Sequence, residues 1–210
     1  MTHINEGIHD PSIFKAVFTI GGPGSGKSTV SSKLLGASGL RPVDIDRFYQ
    51  MILDKNEISG GYADEVYKQA AIKNEKRRNL LMQGRLGLVI DGTGRRVGRI
   101  LVIKNQLESI GYDTMALFVN TDLRTALERN ELRTRKVDPE LVKKMHQEVT
   151  DNLGELQRMF GNRMMIVDNS GEEPDYNYYG KEMDKFLRAK PSNPAAKSWI
   201  KAQTTKEVDK

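Results

Sequence analysis

A glycine-rich loop between an apolar run and a helical segment constrains this chain more than any other feature. Residues 21–28 read GGPGSGKS and satisfy the phosphate-loop pattern G-x-x-x-x-G-K-[ST]. Glycines let successive backbone N–H groups turn toward phosphate oxygens, and the helix that follows contributes its positive N-terminus. The run at 14–20 is apolar and β-branched, which predicts a buried strand. We therefore predict a strand–loop–helix unit that binds nucleotide phosphates.

The residues of this loop have separate expected tasks in binding ATP. The Lys27 ammonium is placed to reach the β- and γ-phosphates, and the Ser28 hydroxyl to coordinate Mg²⁺. The other residues expected to contact ATP are Gly22, Pro23, Gly24, Ser25, Gly26 and Thr29. ATP and Mg²⁺ are thus the predicted cofactors.

Apolar runs alternate with helical patterns along the chain, and this order predicts the fold class. The expected strands are 14–20, 42–45, 86–90, 113–119 and 163–167. The expected helices are 27–35, 47–53, 65–82, 98–110, 122–132 with Thr121 as its cap, one long stripe within 138–160, and 179–187. Such alternation implies right-handed crossovers and a parallel sheet covered on both faces. The prediction is a three-layer α/β P-loop NTPase/kinase fold with a five-stranded parallel sheet and a short Arg-rich lid.

Composition predicts one domain with two polar ends. Residues 1–13 read as a polar lead-in, 14–190 as the P-loop kinase domain, and 191–210 as a polar tail that we expect to be flexible. The chain has no cysteine, which excludes disulfides and thiol chemistry. No apolar run is long enough for a membrane span, and the N-terminus does not resemble a signal peptide. We expect a cytoplasmic protein without a membrane partner.

The charge of the chain is compatible with an anionic partner. The formal net charge is +5, and the isoelectric point is about 9.3. This balance fits a nucleotide, a nucleotide sugar or a nucleic acid, and it equally fits a surface kept in solution by Lys and Arg. The basic run 76–78 favours a solvated helix face over a nucleic-acid track, because no aromatic residues interleave with it.

Acidic residues follow two of the predicted strands, at the edge where an open parallel sheet binds ligands. Asp44 and Asp46 follow the second strand, and either carboxylate could accept a proton from an attacking hydroxyl. Asp46 could instead cap the helix at 47–53. Asp91 ends the third strand, where it could hold Mg²⁺ directly or through water, orient a substrate, or simply begin a turn before Gly92.

Cations cluster in two later segments. Arg129, Arg133, Arg135 and Lys136 predict a lid at about 129–137 that stabilises the charge of a transferring phosphoryl group. The alternative is a solvated helix face with pairs such as Glu131 with Arg135. Arg95 and Arg96 follow Asp91 and could bind substrate anions, or could be solvated loop residues.

Two other classes of P-loop protein fit the sequence less well. A GTPase should carry an N-K-x-D motif, which is absent. A motor or AAA-type ATPase usually needs paired acids at the end of the third strand, and here the single Asp91 precedes Gly92. The three histidines, His3, His9 and His146, lack the spacing of metal ligands.

Four blocks of the sequence resemble the zeta-toxin-type P-loop kinases, a group allied to the phage polynucleotide kinases. The blocks are GGPGSGKST, Val43-Asp44-Ile45-Asp46, LVIDGTGR at 88–95, and Leu127-Glu128-Arg129. The match runs with gaps over residues 14–169, and it is poor between 54 and 80, where acceptor specificity would be set.

The resemblance implies a role for each matching residue. Asp46 matches the catalytic base, and Arg129 matches a lid arginine, with Arg133 or Arg135 as the second. Asp91 stands where zeta toxins usually have Glu, which shortens its reach by one methylene. The residues that match or adjoin substrate-contacting positions are Asp44, Asp91, Thr93 and Arg95.

The sequence is compatible with three functions, which follow in decreasing order of preference. The first is a kinase that transfers the γ-phosphoryl group of ATP to a hydroxyl of a nucleotide-sugar or nucleotide-like small molecule, as the resemblance to zeta toxins implies. The second is a kinase for a nucleic-acid 5′ end or modified base. The third is an ATPase or switch that transfers no phosphoryl group. The sequence leaves an antitoxin-like protein partner open.

Overall fold

A computed structural model of the protein describes residues 8–55, 64–133 and 136–208. The strands are β1 (Lys15–Ile20), β2 (Arg41–Val43), β3 (Leu88–Gly92), β4 (Asp113–Asn120) and β5 (Met164–Asp168). The helices are α1 (Lys27–Leu35), α2 (Ile45–Lys55), α3 (Asp64–Gln83), α4 (Val97–Ser109), α5 (Leu123–Glu131), α6 (Pro139–Asp151), α7 (Leu153–Phe160), α8 (Tyr176–Arg188) and α9 (Pro194–Val208). A 3₁₀ turn at Gly161–Arg163 precedes β5.

The five strands form one parallel sheet in the order β2-β3-β1-β4-β5. The central strand β1 pairs with β3 on one side and β4 on the other, so that Thr19 lies opposite Asp91 and Ile20 opposite Phe118. From β1 the chain moves to one side to form β2 and β3, and then to the other side to form β4 and β5. This reversal opens a crevice at the carboxyl edge of the sheet. The predicted α/β fold with a five-stranded parallel sheet is confirmed.

Helices cover both faces of the sheet, which explains why its central strands are apolar throughout. On one face, Phe18 and Ile20 pack with residues of α4 and α7. On the other face, Val17 and Leu117, both 0% exposed, pack with residues of α1 and α8. Burial of both faces stabilises the three layers mainly through the hydrophobic effect. Within the described ranges, no helix has the length and apolar character that crossing a membrane would require.

Two helix starts differ from the sequence prediction because a different side chain caps each helix. The Asp44 carboxylate accepts the N–H of Asp46 at 2.8 Å, so α2 begins at Ile45 and the predicted strand at 42–45 ends early. Asp46 therefore lies in the first turn and does not cap the helix. In α5 the cap is Asp122, whose side chain accepts the N–H of Thr125 at 2.9 Å, and not Thr121 as predicted.

The long apolar stripe predicted within 138–160 forms two helices. α6 ends at Asp151 and α7 begins at Leu153, with Asn152 between them. The core-facing residue of the first turn is Val142, which is 0% exposed, whereas Leu141 is 43% exposed. The predicted positions Val149, Leu156 and Phe160 are buried on both sides of Asn152, so the stripe is confirmed except at its start.

The chain from Pro194 onward differs from the expected flexible tail. It forms α9, in which Ala196 is 0% exposed and the Trp199 ring packs at 5.5 Å from the Phe14 ring, between centroids. A Cβ added to Gly111 would lie 2.8 Å from the Ala196 nitrogen, so the helix rests directly on the backbone before β4. Its first half is thus part of the folded domain.

Asp113, the first residue of β4, fixes the segment that leads into α9. Its carboxylate pairs with Lys15 of β1 at 2.9 Å, with both side chains at most 5% exposed. The N–H of Ser192 donates to it at 3.0 Å, and Arg163 lies at 3.4 Å. Burial alone would raise the pKa of Asp113, but the hydrogen bonds from Ser192 and the pair with Lys15 outweigh it and hold that pKa below its usual value.

Replacing Trp199 with Ala tests the attachment of α9. We expect the free energy of unfolding to fall by about 2 kcal/mol, because a half-buried aromatic ring leaves the Phe14 contact. The exposed neighbour Lys197→Ala should change it by less than about 0.5 kcal/mol. Urea unfolding of the three proteins measures this, and equal stability of all three would contradict the described packing.

Candidate nucleotide-binding and phosphoryl-transfer site

The phosphate loop connects β1 to α1 at the carboxyl edge of the sheet, and two of its glycines adopt left-handed backbone conformations. Gly24 has φ +78° and Gly26 has φ +79°. A Cβ on Gly24 would lie 2.2 Å from the carbonyl oxygen of Ala126, and one on Gly26 would lie 2.3 Å from the Asn169 side-chain nitrogen. Only glycine fits this conformation and these close approaches. The motif is therefore built as the sequence predicts.

The carbonyl group of Ser25 holds the loop to three other segments. It accepts hydrogen bonds from Asn169 Nδ2 at 2.8 Å, Thr121 Oγ1 at 3.0 Å and Arg129 Nη1 at 3.5 Å. Sequence reasoning selected Arg129 but missed Thr121 and Asn169. Both follow directly on strands, β4 and β5, so a search for polar residues at strand ends would have found them.

His146 of α6 contacts Thr121, one of the residues that bind the Ser25 carbonyl. Its Nε2 lies 2.7 Å from the Thr121 carbonyl oxygen, which can only accept, so Nε2 carries the proton. A cavity of about 20 Å³, large enough for one water molecule, lies between His146, the phosphate loop and the end of β4. Ser25 lines this cavity, and its hydroxyl is buried without a hydrogen-bond partner among the described residues. His146 thus holds Thr121, whose hydroxyl in turn bonds to the Ser25 carbonyl of the loop.

Lys27 and Asp91 meet directly in front of the loop. Lys27 Nζ forms an ion pair with Asp91 Oδ1, and the Lys27 side chain is only 15% exposed. The Thr19 hydroxyl donates to the same oxygen at 2.9 Å, because Thr19 and Asp91 are opposite residues of β1 and β3. Asp91 is therefore oriented toward the phosphate loop and does more than begin a turn.

Asp44 and Asp46 lie next to this pair, at the start of α2. Asp44 is half-buried, whereas Asp46 is exposed in the first helical turn. Burial raises the pKa of Asp44, and the negative charge of Asp91 raises it further, while the hydrogen bond from the Asp46 N–H opposes both. The edge of the sheet thus carries several carboxylates close to one lysine, an arrangement that attracts cations and suits proton transfer.

The loop after β3 carries Thr93 and Arg95. Gly94 has φ +85°, and the Asn152 side chain donates to the carbonyl oxygens of Gly94 at 3.0 Å and Arg95 at 3.1 Å. Arg95 forms an ion pair with Glu148 of α6. The hydrogen bond from Arg95 lowers the pKa of Glu148. Sequence analysis did not select Glu148 or Asn152, which lie more than fifty residues away in the chain.

The predicted lid is described except for residues 134–135. Asn130 is 0% exposed, and its side-chain amide donates to the Val137 carbonyl oxygen at 2.7 Å and accepts the Val137 N–H at 3.0 Å, which joins α5 to Val137. Arg133 is exposed in this loop. Glu131 pairs with Lys136 at 2.8 Å. The predicted residue Arg135, and with it the suggested pair with Glu131, lies outside the described residues.

The structure brings most of the selected residues to one edge. These residues lie on or beside the phosphate loop or at neighbouring strand ends: 22–29, Asp44, Asp46, Asp91, Thr93 and Arg129.

The basic run 76–78 is less solvated than expected, because Arg77 donates to the Pro42 carbonyl oxygen at 3.2 Å and Arg78 is only 12% exposed. In the described residues, no group of three or more His, Cys, Asp or Glu side chains is arranged to hold a metal ion.

Replacing Asp44 with Asn tests the electrostatics of this edge. The raised pKa means that the folded state binds the Asp44 proton more tightly than the unfolded state, so this group reduces stability as pH rises from about 4 through the folded pKa. Asn keeps the oxygen that accepts the Asp46 N–H. We expect the variant to be more stable than wild type by about 0.5 kcal/mol at pH 7, and less so toward pH 4.

Thermal unfolding between pH 4 and pH 7.5 measures this difference. Asp54→Asn, at an exposed position of α2, is the matched control for the loss of one carboxylate. A difference that stays constant with pH, or has the opposite sign, would contradict the stated charge arrangement.

Solved structures with the same fold support the architecture. A suspected kinase from Chloroflexus aurantiacus aligns with a TM-score of 0.58 and 17% identity, over 83% of this chain and 99% of that chain. A chain of the PezAT toxin–antitoxin system of Streptococcus pneumoniae aligns with a TM-score of 0.54 and 18% identity, over 93% and 87%. A gluconokinase from Sinorhizobium meliloti aligns with a TM-score of 0.50 and 16% identity, over 92% and 98%. At these identities the likeness shows the fold alone.

A family model described as an AAA domain, AAA_33, matches residues 17–156, which include the phosphate loop, the acidic strand ends and Arg129. No curated relative matches the sequence. This chain lacks the paired acids that an AAA-type ATPase usually carries at the end of the third strand, because β3 has the single Asp91 followed by Gly92. With a kinase-like P-loop fold around its phosphate loop, the chain belongs to the AAA_33 family of AAA domains.

Proposed function

We propose that this protein is a kinase that transfers the γ-phosphoryl group of Mg²⁺-bound ATP to a hydroxyl group. The observation that carries the proposal is the meeting of the phosphate-loop Lys27 with Asp91, next to Asp44 and Asp46, at the carboxyl edge of the sheet. A switch protein that hydrolyses ATP slowly needs no carboxylate to deprotonate an acceptor hydroxyl. The kinase-like fold and its kinase neighbours support a phosphotransferase in general.

The phosphates of ATP would bind to the N–H groups of the loop and to the N-terminus of α1. Lys27 is already held forward by Asp91, with its side chain mostly buried. Its ammonium group has three donors, so it can donate to phosphate oxygens while it keeps one hydrogen bond to Asp91. The three contacts to the Ser25 carbonyl keep the loop in shape before the nucleotide arrives.

The residues at this edge fit a magnesium ion brought in with the nucleotide. The ion prefers oxygen ligands and usually keeps several waters. Ser28 presents an exposed hydroxyl at the start of α1, and Asp91 has a second carboxylate oxygen beyond the one bound by Thr19 and Lys27. Bound there, the ion would neutralise charge on the β- and γ-phosphates.

Asp46 is the proposed base. Asp44 accepts the Asp46 N–H and is half-buried, whereas Asp46 is exposed, so that an acceptor could reach it. In the transfer, the acceptor oxygen bonds to the γ-phosphorus, the bond from that phosphorus to the β–γ bridging oxygen breaks, and the hydroxyl proton passes to the Asp46 carboxylate. ADP leaves with the bridging oxygen. Arg129, already against the loop, and Arg133 in the lid would stabilise the spread negative charge.

We propose a nucleotide-sugar or nucleotide-like small molecule as the acceptor. The four sequence blocks that resemble zeta-toxin-type kinases support this class. A nucleic-acid acceptor is less well supported, because two of the three cations at 76–78 are engaged within the fold, Arg77 with Pro42 and Arg78 with Glu75. Thr93 and Arg95 are the proposed contacts to the acceptor, and Arg95 is held in place by Asn152 and Glu148.

The decisive experiment is transfer of label from γ-labelled ATP with Mg²⁺ to a panel of UDP sugars, nucleosides, nucleotides and 5′-hydroxyl DNA and RNA. We expect label on one small-molecule class, and a fall of at least about 100-fold in transfer rate for Asp46→Asn, because the base is lost. Asp54→Asn, an exposed acid of the same helix, is the matched control and should keep the rate.

The acceptor that takes up the label distinguishes a small-molecule kinase from a nucleic-acid kinase and from an ATPase. Label on DNA or RNA would replace the acceptor class but keep the kinase. Release of free phosphate alone, at equal rates in wild type and Asp46→Asn, would contradict the kinase and leave an ATPase or switch.

Replacing Arg129 with Gln tests charge stabilisation in the lid region. We expect transfer to fall about 100-fold or more, since a cation at the transferring group is lost. Arg124→Gln removes the same charge from the same helix, where the side chain is 84% exposed, and should change the rate less than about twofold. Single-turnover rates at saturating ATP measure both, and equal rates in the two variants would contradict the role of Arg129.

A further inference from the structure

His146 of α6 bonds to the peptide group that joins Thr121 to Asp122, between β4 and α5. Its Nε2 donates to the Thr121 carbonyl oxygen at 2.7 Å. On the other side of the same peptide group, the Asp122 N–H donates to the Ser170 hydroxyl at 3.0 Å. Both polar atoms of this peptide group are thus bonded to other segments, and these bonds fix its orientation.

The side chain of Thr121 connects this peptide group to the phosphate loop. Thr121 is 4% exposed, and its hydroxyl lies 3.0 Å from the Ser25 carbonyl oxygen and 2.7 Å from the Asn120 carbonyl oxygen. A hydroxyl has a single proton, so it reaches Ser25 only while the backbone holds it close to both oxygens. A shift of the Thr121 backbone would change these distances and loosen the loop.

The same peptide group begins α5, which contacts the loop at a second point. The Asp122 side chain caps this helix by accepting the Thr125 N–H at 2.9 Å. One turn later the helix is so close to the loop that a Cβ on Gly24 would lie 2.2 Å from the Ala126 carbonyl oxygen. Loop and helix therefore pack backbone to backbone, and a displacement of the start of α5 would be transmitted to the loop.

The connection from α6 to the loop runs through Thr121. A cavity of about 20 Å³ is lined by Pro23 and Ser25 from the loop and by His146 and Thr150 from α6, so the helix and the loop are not close-packed at this point. Thr121 lines the same cavity, and its bonds to His146 and Ser25 join the two sides. His146 can thus influence the loop without contacting a nucleotide.

We propose that His146 is a positioning residue that keeps the phosphate loop in the shape that binds nucleotide, through its hydrogen bond to the Thr121 carbonyl oxygen. Without this bond the loop populates other shapes, and the apparent affinity for a nucleotide falls with the fraction of the competent shape. The proposal rests on the nucleotide-binding part of the proposed function and is independent of the acceptor and of the transfer step.

Binding of the non-hydrolysable ATP analogue AMP-PNP with Mg²⁺, measured by isothermal titration calorimetry on the full chain, tests this role. His146→Leu removes the donor with a side chain of similar size, and we expect about fivefold to tenfold weaker binding. His146→Gln offers an amide N–H in place of Nε2 and should restore the affinity to within about twofold of wild type. Gln147→Leu changes the exposed next residue of α6, and this matched control should bind like wild type.

Two further measurements separate positioning from a general loss of stability. Thermal unfolding without nucleotide checks that each variant is folded at the temperature of the titration. Thr121→Val removes the hydroxyl that bonds to Ser25. In this background, His146→Leu should weaken binding less than it does in the wild-type chain, because one of its two connections to the loop is already missing. A purely structural role would lower the melting temperature and leave the affinity of the folded protein unchanged.

Three results would overturn the proposal. They are equal affinities of His146→Leu and Gln147→Leu, no recovery of affinity in His146→Gln, and fully additive effects of Thr121→Val and His146→Leu. A wild-type chain that does not bind AMP-PNP would overturn it as well, together with ATP as the predicted nucleotide. Binding of AMP-PNP without any transfer of label would contradict only the kinase, so the two failures are distinguishable.

Discussion

The close packing of the phosphate loop against its neighbours is the constraint on which the rest of the site depends. The Ser25 carbonyl accepts from Thr121, Arg129 and Asn169, three residues on separate segments after β4 and β5. The glycines at 24 and 26 permit this packing, since a Cβ at either would collide with Ala126 or Asn169. The loop is thereby preorganised, and a nucleotide would not have to supply the free energy of ordering it.

The order of the strands in the sheet brings the residues of the site together. Because β1 lies between β3 and β4, Thr19 is opposite Asp91, and Asp91 in turn contacts Lys27. The same order places Thr121 beneath the loop, where His146 of α6 holds its carbonyl oxygen. Residues more than seventy positions apart meet because parallel strands end at the same edge.

The acids at this edge are held at a cost in free energy. Asp44 is half-buried near Asp91, and both effects raise its pKa. Groups with perturbed pKa values in a crevice are candidates for function, because folding alone would favour a neutral or solvated residue there. The buried charges of Lys15 and Asp113, by contrast, are paired with each other.

The sequence by itself determined the phosphate loop, the five parallel strands and the carboxylates at the ends of β2 and β3, because glycine spacing, apolar runs and polar strand ends are local patterns. It began α2 two residues late, gave the cap of α5 to Thr121 instead of Asp122, read α6 and α7 as one helix, and treated the α9 segment as a tail. The start of α2 and the packing of α9 depend on single side-chain contacts, of Asp44 and of Trp199. The partners Thr121, Glu148 and Asn169 were decided only by tertiary structure. The position of Thr121 and Asn169 after strands marks them as candidates, but their bonds to the Ser25 carbonyl, and the pair of Glu148 with Arg95, join distant segments that only the fold brings together.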